Sequence, residues 1–254
     1  MEYFVLAIFL GISLLLLWFL ISSEKGPKEP AKGLWAAFGF GLLSLVTGPT
    51  LDYILFGSGE GLEGAPLIII LISSLGTGFL EETFKFGPLA LYIYKKNYFT
   101  EHSDGIIYFA IVGLTFGFFE NLLYTIGYGA EVGLERLLVV PIFHGASTAI
   151  IGYFLAKQKV NGGKVGMTLT ALIVVAIIHG MYNFGMMASS DYFFVLSLML
   201  TLLLVVGLFI FYGDAKEKDL LHGLSVKGPN EYCKFCGTKN IKRSIFCEYC
   251  GKKL

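Results

Sequence analysis

Two adjacent glutamates and a lysine one helical turn later are the residues whose types and spacing most clearly predict chemistry. Glu81, Glu82 and Lys85 lie within an otherwise apolar stretch, residues 65 to 94, that is long enough to cross a bilayer. An ionisable group at that depth is costly, and it persists mainly where it faces a protein interior or a water cavity. Because Glu81 and Lys85 are spaced i,i+4, we expect an ion pair between them. The cluster predicts a functional site, and a purely structural ion pair is the alternative.

Three further ionisable side chains occupy other apolar stretches at a matching depth. Glu120, His144 and His179 each lie within a separate predicted helix. At a rise of about 1.5 Å per residue, Glu81, Glu120 and His179 lie roughly 21 to 23 Å from the predicted inner boundary, and His144 lies roughly 12 Å from the outer one. In a hydrocarbon core about 30 Å thick these depths coincide. Four helices therefore bring two glutamates and two histidines to one level, which favours a site over isolated core residues.

Two neighbouring polar residues extend this cluster, and one lies apart from it. Asn183 follows His179 by four residues, so its amide shares a helix face with the imidazole and could orient it or donate to an oxyanion. Asn121 is adjacent to Glu120, so we expect only one of the two to face the centre. Asp52 lies near the end of another apolar stretch, where we expect an interfacial or structural role.

The composition is that of a polytopic membrane protein. Of 254 residues, 55% are hydrophobic and 15% are charged, with a mean hydropathy of +0.71, whereas a soluble domain carries about a quarter charged residues. The formal net charge is zero and indicates no class of partner. The first apolar segment lacks a basic region before it, so we expect a retained helix rather than a signal peptide. Segments near or above the roughly 20 residues that a span needs predict an all-α fold of about seven transmembrane helices. These segments lie at about 2–21, 34–56, 65–94, 105–126, 137–156, 165–187 and 192–212.

Basic residues are distributed unequally between the loops that join these segments. Loops two, four and six contain one basic residue, Arg136, which ends a glycine-rich turn. Loops one, three and five contain Lys25, Lys28, Lys32, Lys95, Lys96, Lys157, Lys159 and Lys164. By the positive-inside rule, this bias predicts a multi-pass protein of the cell membrane with its N-terminus outside and its C-terminal tail in the cytoplasm.

The C-terminal tail contains all of the cysteines. Cys233 and Cys236 form one CxxCG turn, and Cys247 and Cys250 form a second. Four thiolates in two such turns predict a closed, tetrahedral structural zinc site, and a redox CxxC pair is the alternative. The lysines of the tail predict a solvated basic surface rather than a nucleic-acid site, and the sequence indicates no partner for the ribbon.

These patterns divide the chain into three parts. We expect a transmembrane domain over residues 1–212, a hydrophilic linker over 213–230 and a zinc ribbon over 231–254.

Four motifs in order on successive helices resemble the PrsW family of intramembrane proteases, which is related to the type II CAAX prenyl endopeptidases and the bacteriocin-processing enzymes. They are Glu-Glu-x-x-Lys at 81–85, Phe-Glu-Asn-x-x-Tyr at 119–124, His-Gly at 144–145 and His-Gly-x-x-Asn at 179–183. The resemblance covers roughly residues 34 to 190, so it does not extend to the ribbon.

The resemblance implies a polytopic endopeptidase, and the family's type example makes the first cut in a membrane-bound anti-sigma factor. Glu81 and Glu82 match the essential carboxylate pair of the family, and His144 and His179 match its two histidines. The CAAX enzymes carry an arginine further along the first motif, where this sequence has Lys85, so we do not expect prenyl-protein processing.

The resemblance also implies a catalytic metal ion, because members of the family are usually classed as metallopeptidases. His144, His179 and either Glu120 or Glu82 would form a two-histidine, one-carboxylate zinc set with a position left for water. The alternative is a metal-free mechanism in which a glutamate is the general base and the same histidines orient water. We favour Glu81 as that base, since Lys85 is expected one turn below it.

Three functions are therefore compared. We expect hydrolysis of a peptide bond in a membrane-protein substrate, near the outer face of the bilayer. An ion or small-molecule transporter with a buried Glu/His relay is the first alternative. A sensor or scaffold that signals through the ribbon is the second.

Overall fold

The computed structural model shows a chain that is mostly helical. It describes residues 2–23, 28–56, 64–136, 139–188 and 191–221 and, in the tail, 235–236, 238, 246–247 and 249–252. Within these residues the chain forms eight α-helices. They are α1 (Glu2–Ser23), α2 (Ala31–Phe56), α3 (Leu67–Ile93), α4 (His102–Tyr128), α5 (Ala130–Arg136), α6 (Val139–Asn161), α7 (Val165–Met187) and α8 (Asp191–Leu221).

The predicted fold class, an all-α polytopic membrane protein, is confirmed. Six described helices, α2, α3, α4, α6, α7 and α8, are long and apolar enough to cross a membrane. Helix α1 covers the first predicted segment, and the apolar stretch within it, Leu10–Phe19, is shorter. In hydrocarbon the backbone has no water to pair with, so apolar runs of this length satisfy their N–H and C=O groups by forming helices. The predicted glycine-rich turn contains the short helix α5, which begins directly after Gly129 (φ 95°).

Helices α4 and α6 form the centre of the bundle. Of the membrane-spanning part, 72% of α4 and 83% of α6 is buried inside the protein, against 17% of α8. Helix α2 packs against α4, both α7 and α8 pack against α6, and α3 closes the ring between α2 and α7. The four helices that carry the predicted site residues therefore lie around one another, with α1 and α8 on the outside.

Glycines allow these four helices to approach each other closely. A Cβ atom at Gly113 of α4 would lie 2.0 Å from the carbonyl oxygen of His144 in α6. A Cβ atom at Gly180 of α7 would lie 2.6 Å from the Cα atom of Leu75 in α3. No side chain fits at such distances, so the backbones touch directly. The close approach brings the polar side chains of the four helices within contact of each other.

The two ends of the bundle differ, and we call them the Asp219 end and the α5 end after the residue and the helix that lie there. At the Asp219 end, the carboxylate of Asp219 in the last turn of α8 accepts the N–H groups of His102 at 2.8 Å and Ser103 at 2.9 Å. It thereby satisfies two of the donors that the start of α4 leaves unpaired. At the α5 end, α4 ends, α5 follows and α6 begins. Helix α8 continues past residue 212, so the first part of the predicted linker is helical and packs on the bundle.

Candidate active site

The Glu82 carboxylate is the centre of the polar cluster and is fully buried. Its Oε1 atom accepts hydrogen bonds from Lys85 Nζ at 2.7 Å, from His179 Nδ1 at 2.8 Å and from Ser147 Oγ at 3.0 Å. Its Oε2 atom accepts one from Thr148 Oγ1 at 3.4 Å. Helices α3, α6 and α7 therefore meet at one carboxylate whose acceptor positions are occupied.

A second chain of contacts passes through His144. Lys85 Nζ lies 2.9 Å from His144 Nδ1, and an ammonium group can only donate, so Nδ1 accepts. The ring proton is then on Nε2, which donates to Glu120 Oε2 at 2.8 Å. Arg136 Nη2 donates to Glu120 Oε1 at 2.8 Å. Burial lowers the pKa of the Arg136 guanidinium, but Glu120, Tyr124 and Tyr182 together raise it by more, so the net shift is upward and Arg136 is charged. The contacts assign His144 the neutral Nε2–H tautomer.

Glu81 differs from its neighbour because one of its oxygens lacks a partner. Its Oε2 atom is buried without a hydrogen bond from any residue that the structure describes. It lies 3.8 Å from Lys85 Nζ and 3.6 Å from His179 Nε2. Since His179 donates through Nδ1 to Glu82, its Nε2 presents a lone pair. Two lone-pair atoms therefore face each other across a gap that suits a hydrogen-bond donor or a cation.

The formal charges around this gap do not balance. Glu81, Glu82 and Glu120 face two cations, Lys85 and Arg136, and both histidines are neutral in the tautomers assigned above. An uncompensated buried charge is costly at this depth. The excess negative charge at Glu81 therefore favours the binding of a proton, a polarised water or a metal ion.

A cavity of about 300 Å³ reaches this group from the α5 end. Its wall includes the reactive side chains and two further polar groups, Asp52 and Thr77, which are joined by a 2.6 Å hydrogen bond from Thr77 Oγ1 to Asp52 Oδ1. The other polar residues that line it are Ser73, Glu81, Glu120, Tyr124, Arg136, His144, Tyr182 and Asn183. The described residues that line the cavity belong to the α5 end of the bundle and include Glu81 but not Glu82.

The donor atoms near the gap fit a metal ion. One ligand atom each from Glu81, His144 and His179 lies within 4.8 Å of the others. The unpaired Glu81 Oε2 and the free lone pair of His179 Nε2 are suitable ligands. Both ring nitrogens of His144 have partners, so His144 would have to release Lys85 or Glu120 to bind a metal.

The comparison with known proteins identifies the family. Residues 29–212 match the PrsW family intramembrane metalloproteases. The chain belongs to the PrsW family. A protein of Bacillus subtilis (strain 168) named Protease PrsW is 32% identical over 186 residues, which cover 72% of this chain and 82% of the relative. Protease PrsW of Geobacillus kaustophilus (strain HTA426) is 27% identical over 191 residues, 75% of this chain and 82% of the relative. No solved structure matches the chain.

Membership of the PrsW family confirms the predicted enzyme class, an intramembrane protease. The family match ends at residue 212, so the predicted ribbon lies outside the matched residues. The metalloprotease description is consistent with the metal implied by the sequence motifs.

Two details of the PrsW site go beyond the prediction. The predicted ion pair between Glu81 and Lys85 is present at 3.8 Å, and Lys85 has a closer partner in Glu82, at 2.7 Å. Lys85 Nζ also hydrogen-bonds to His144 Nδ1, and this contact holds the ammonium group closer to Glu82 than to Glu81. The metal set that the structure brings together contains Glu81, where Glu120 or Glu82 was predicted. Glu120 and Glu82 instead hydrogen-bond the two histidines.

Other predicted residues are placed as follows. Asn183 lines the cavity but makes no hydrogen bond with His179 within the described chain. Asn121 points away and donates from Nδ2 to the Gly133 carbonyl at 3.3 Å, so Glu120 alone faces the centre, as expected. Asp52, for which an interfacial or structural role is predicted, is half-buried at the cavity wall.

Sequence reasoning missed three residues that hold the PrsW site together. Ser147 and Thr148 bind Glu82, and their signal was the spacing of three and four residues after His144, which places them on the same side of α6. Arg136 binds Glu120, and its signal was its isolation as the one basic residue in loops two, four and six.

The described cysteines of the tail also cluster. One ligand atom each from Cys236, Cys247 and Cys250 lies within 4.8 Å of the others, and the sulfurs of Cys236 and Cys247 are 3.5 Å apart. The N–H of Cys250 donates to the Cys247 sulfur, which lowers the pKa of that thiol and favours the metal-binding thiolate. The fourth predicted ligand, Cys233, lies outside the described residues.

The buried position of Lys85 generates a stability prediction. Lys85→Met removes the cation that faces both carboxylates of the first motif, so we expect the free energy of unfolding to fall by about 3–5 kcal/mol. Adding Glu82→Gln removes one uncompensated charge and should recover a large part of that loss. The measurement is unfolding by SDS titration, followed by circular dichroism. The control is Lys95→Met at an exposed position, for which we expect a change within about 0.5 kcal/mol. Equal stability of Lys85→Met and Lys95→Met would contradict the assignment.

Proposed function

We propose that this PrsW-family protein hydrolyses a peptide bond of a membrane-protein substrate in the cavity at the α5 end. The observation that supports this most directly is the buried, unpartnered Glu81 Oε2, which faces the His179 Nε2 lone pair 3.6 Å away. A water molecule that lies to one side of these two atoms and bridges them has an acceptor for each of its hydrogens. The relatives named Protease PrsW support the same class of reaction.

Glu81 is the proposed general base. It takes one proton from the water as the water oxygen attacks the substrate carbonyl carbon, and it returns that proton to the leaving amide nitrogen when the C–N bond breaks. His179 Nε2 holds the second hydrogen of the water and so directs the attacking lone pair. Glu82 fixes the tautomer of His179 through Nδ1. In this scheme Glu82 and Lys85 position the reacting groups and do not exchange protons with the substrate.

The metal version of the site uses the same residues. Glu81, His144 and His179 would hold a zinc ion, which supplies Lewis-acid chemistry and lowers the pKa of a bound water. The chain also supplies the hydrogen bonds that would orient the two histidine ligands. Glu82 holds His179 and Glu120 holds His144, each through one ring nitrogen.

The substrate is proposed to be cut near the outer face of the membrane. The lysine bias of the loops places the Asp219 end in the cytoplasm, so the cavity at the α5 end faces outwards. An α-helical span hides its carbonyl groups, so the cut should fall where the substrate is extended or easily unwound, at the outer end of its span. This geometry suits the first cut of a single-span protein of the anti-sigma-factor type, as the resemblance implies.

The transporter alternative receives no support from the arrangement of the core. On the Asp219 side of Lys85, a layer of apolar residues lies between Lys85 and the buried ionisable residues of that end, His102, Asp104 and Asp219. The layer includes Phe86, Leu89, Ile93, Phe109, Ile151 and Leu155. A proton relay needs a continuous series of ionisable groups between the two faces, and this layer interrupts it within the described chain.

The tail is proposed to be a structural zinc ribbon. Cys236, Cys247 and Cys250, together with Cys233, would close a tetrahedral thiolate shell with no position left for substrate. We keep the predicted division into a membrane domain (1–212), a linker (213–230) and a ribbon (231–254), with the ribbon in the cytoplasm.

The first prediction from this function concerns the base. Glu81→Gln keeps the shape of the side chain but cannot accept the proton, so we expect kcat to fall by about 10²–10⁴-fold with unchanged protein content in the membrane. The assay is cleavage of single-span test proteins in proteoliposomes. Glu217→Gln, at an exposed position of α8, is the control and should cleave at the wild-type rate. A wild-type rate in Glu81→Gln would end the proposal.

The second prediction concerns the metals. Zinc content is measured by mass spectrometry on the purified full chain and on a variant with Cys236→Ser, Cys247→Ser and Cys250→Ser. The glutamate mechanism predicts about one zinc ion per wild-type chain, in the ribbon, and none in the variant, whereas the metal version predicts about two and one; in both cases the variant should remain active. An active variant that contains no metal would rule out zinc in the membrane site and favour the glutamate mechanism.

A further inference from the structure

The Tyr182 hydroxyl is a polar group of the cavity that none of the steps above uses. The Tyr182 side chain lies on α7, and the residue is 3% exposed. Its hydroxyl is buried and has no hydrogen-bond partner among the residues that the structure describes. It nevertheless lines the cavity that contains Glu81 and His144. A buried hydroxyl is normally paired, so an unpaired one beside reactive groups indicates a missing acceptor.

Contacts of both its ring and its backbone restrict the position of Tyr182. It stacks on Phe143, with ring centroids 4.2 Å apart and planes 26° apart. Its backbone carbonyl accepts a hydrogen bond from Ser197 Oγ in α8 at 2.8 Å. Phe143 also contacts the His179 ring, at a centroid distance of 5.1 Å. The ring is therefore fixed relative to the catalytic histidine, and the O–H bond can turn about the C–O bond only.

The position along α7 places the Tyr182 side chain on the same helix face as His179. Tyr182 follows His179 by three residues and precedes Asn183, which also lines the cavity. The other unpartnered donor of the cavity wall, Arg136 Nε, belongs to a guanidinium that is engaged with Glu120. Tyr182 is thus a fixed donor that is not committed to the network of His144.

We infer that Tyr182 is a catalytic residue of the proposed hydrolysis, on which this inference rests, and that its O–H donates a hydrogen bond to the oxyanion of the tetrahedral intermediate. When the water oxygen bonds to the carbonyl carbon, the C=O π pair moves to the carbonyl oxygen and Glu81 takes the water proton. Tyr182 keeps its own proton and stabilises the negative oxygen, with Asn183 as the second donor. When the oxygen pair re-forms the C=O bond, the C–N bond breaks and Glu81 protonates the nitrogen.

The test is Tyr182→Phe, which removes one hydroxyl and keeps the ring that stacks on Phe143. Kinetics are measured with the full chain in proteoliposomes, on a single-span probe protein whose outer juxtamembrane segment carries glycines. We expect kcat to fall about 100-fold and KM to stay within about twofold. The control Tyr192→Phe, at a residue that is 88% exposed, should match the wild type. A Tyr182→Phe variant whose kcat stays within about threefold of the wild type, or whose loss is entirely in KM, overturns the inference.

A binding measurement separates this role from a structural one. A peptidyl phosphinate carries a tetrahedral, negatively charged oxygen, whereas the matched amide peptide does not. We expect Tyr182→Phe to weaken phosphinate binding by about the same factor as kcat and to leave amide binding unchanged. Equal weakening of both ligands would assign Tyr182 to packing.

The two proposals fail in different ways. If Glu81→Gln cleaves the probe as fast as the wild type, the proposed hydrolysis site is wrong and the role of Tyr182 falls with it. If Glu81→Gln is inactive while Tyr182→Phe retains the wild-type kcat, the hydrolysis stands and only the Tyr182 assignment is overturned.

Discussion

The hydrogen bonds to the buried Glu82 carboxylate are the interaction on which the rest of the site depends. A carboxylate in the middle of a helical bundle is tolerated only when its oxygens are paired, and here Lys85, His179 and Ser147 converge on one of them. Each donor comes from a different place in the chain, so satisfying this one group sets the relative positions of α3, α6 and α7. The arrangement accounts for two adjacent glutamates with opposite properties. Both oxygens of Glu82 accept hydrogen bonds, whereas Glu81, which lines the cavity, has an oxygen with no hydrogen-bond partner among the described residues.

Close helix packing makes these contacts geometrically feasible. The His144 and His179 rings lie 5.1 Å apart on different helices, which requires that α6 and α7 be positioned by backbones that touch their neighbours through glycine. The Lys85 ammonium group lies over the Phe116 ring, with Nζ 4.6 Å from the ring centroid. The apolar and aromatic side chains around the cluster strengthen each charge interaction in it because they exclude water. They also confine the polar region to one level of the bundle.

Much of the fold followed from the sequence because a bilayer allows few alternatives. Apolar length alone located the spans, and the rise per residue placed Glu81, Glu120, His144 and His179 at one level. The structure brings these four residues into one network.

Which of the charged side chains at that level pair with each other could not be predicted, because the pairing depends on tertiary contacts. The i,i+3 and i,i+4 positions share a helix face, so spacing did not decide whether Lys85 pairs with Glu82 or with Glu81. The decision came from His144 on α6. Arg136 was read as a loop charge, since nothing in a short glycine-containing segment indicates that it turns back towards Glu120. That the Tyr182 hydroxyl has no partner among the described residues is likewise visible only in three dimensions.

The central claim is that peptide hydrolysis occurs at Glu81 in a cavity open to the outer face, and mapping the cut in a substrate tests it most directly. A single-span protein is reconstituted with the full chain, and the termini of both products are determined by mass spectrometry, with Glu81→Gln as the reference for background cleavage. The account predicts a new terminus within the outer juxtamembrane segment or the outermost turns of the span, and none with Glu81→Gln. A cut at the cytoplasmic end of the span would contradict it, since the site would then lie at the other depth or the chain would cross the membrane in the opposite direction.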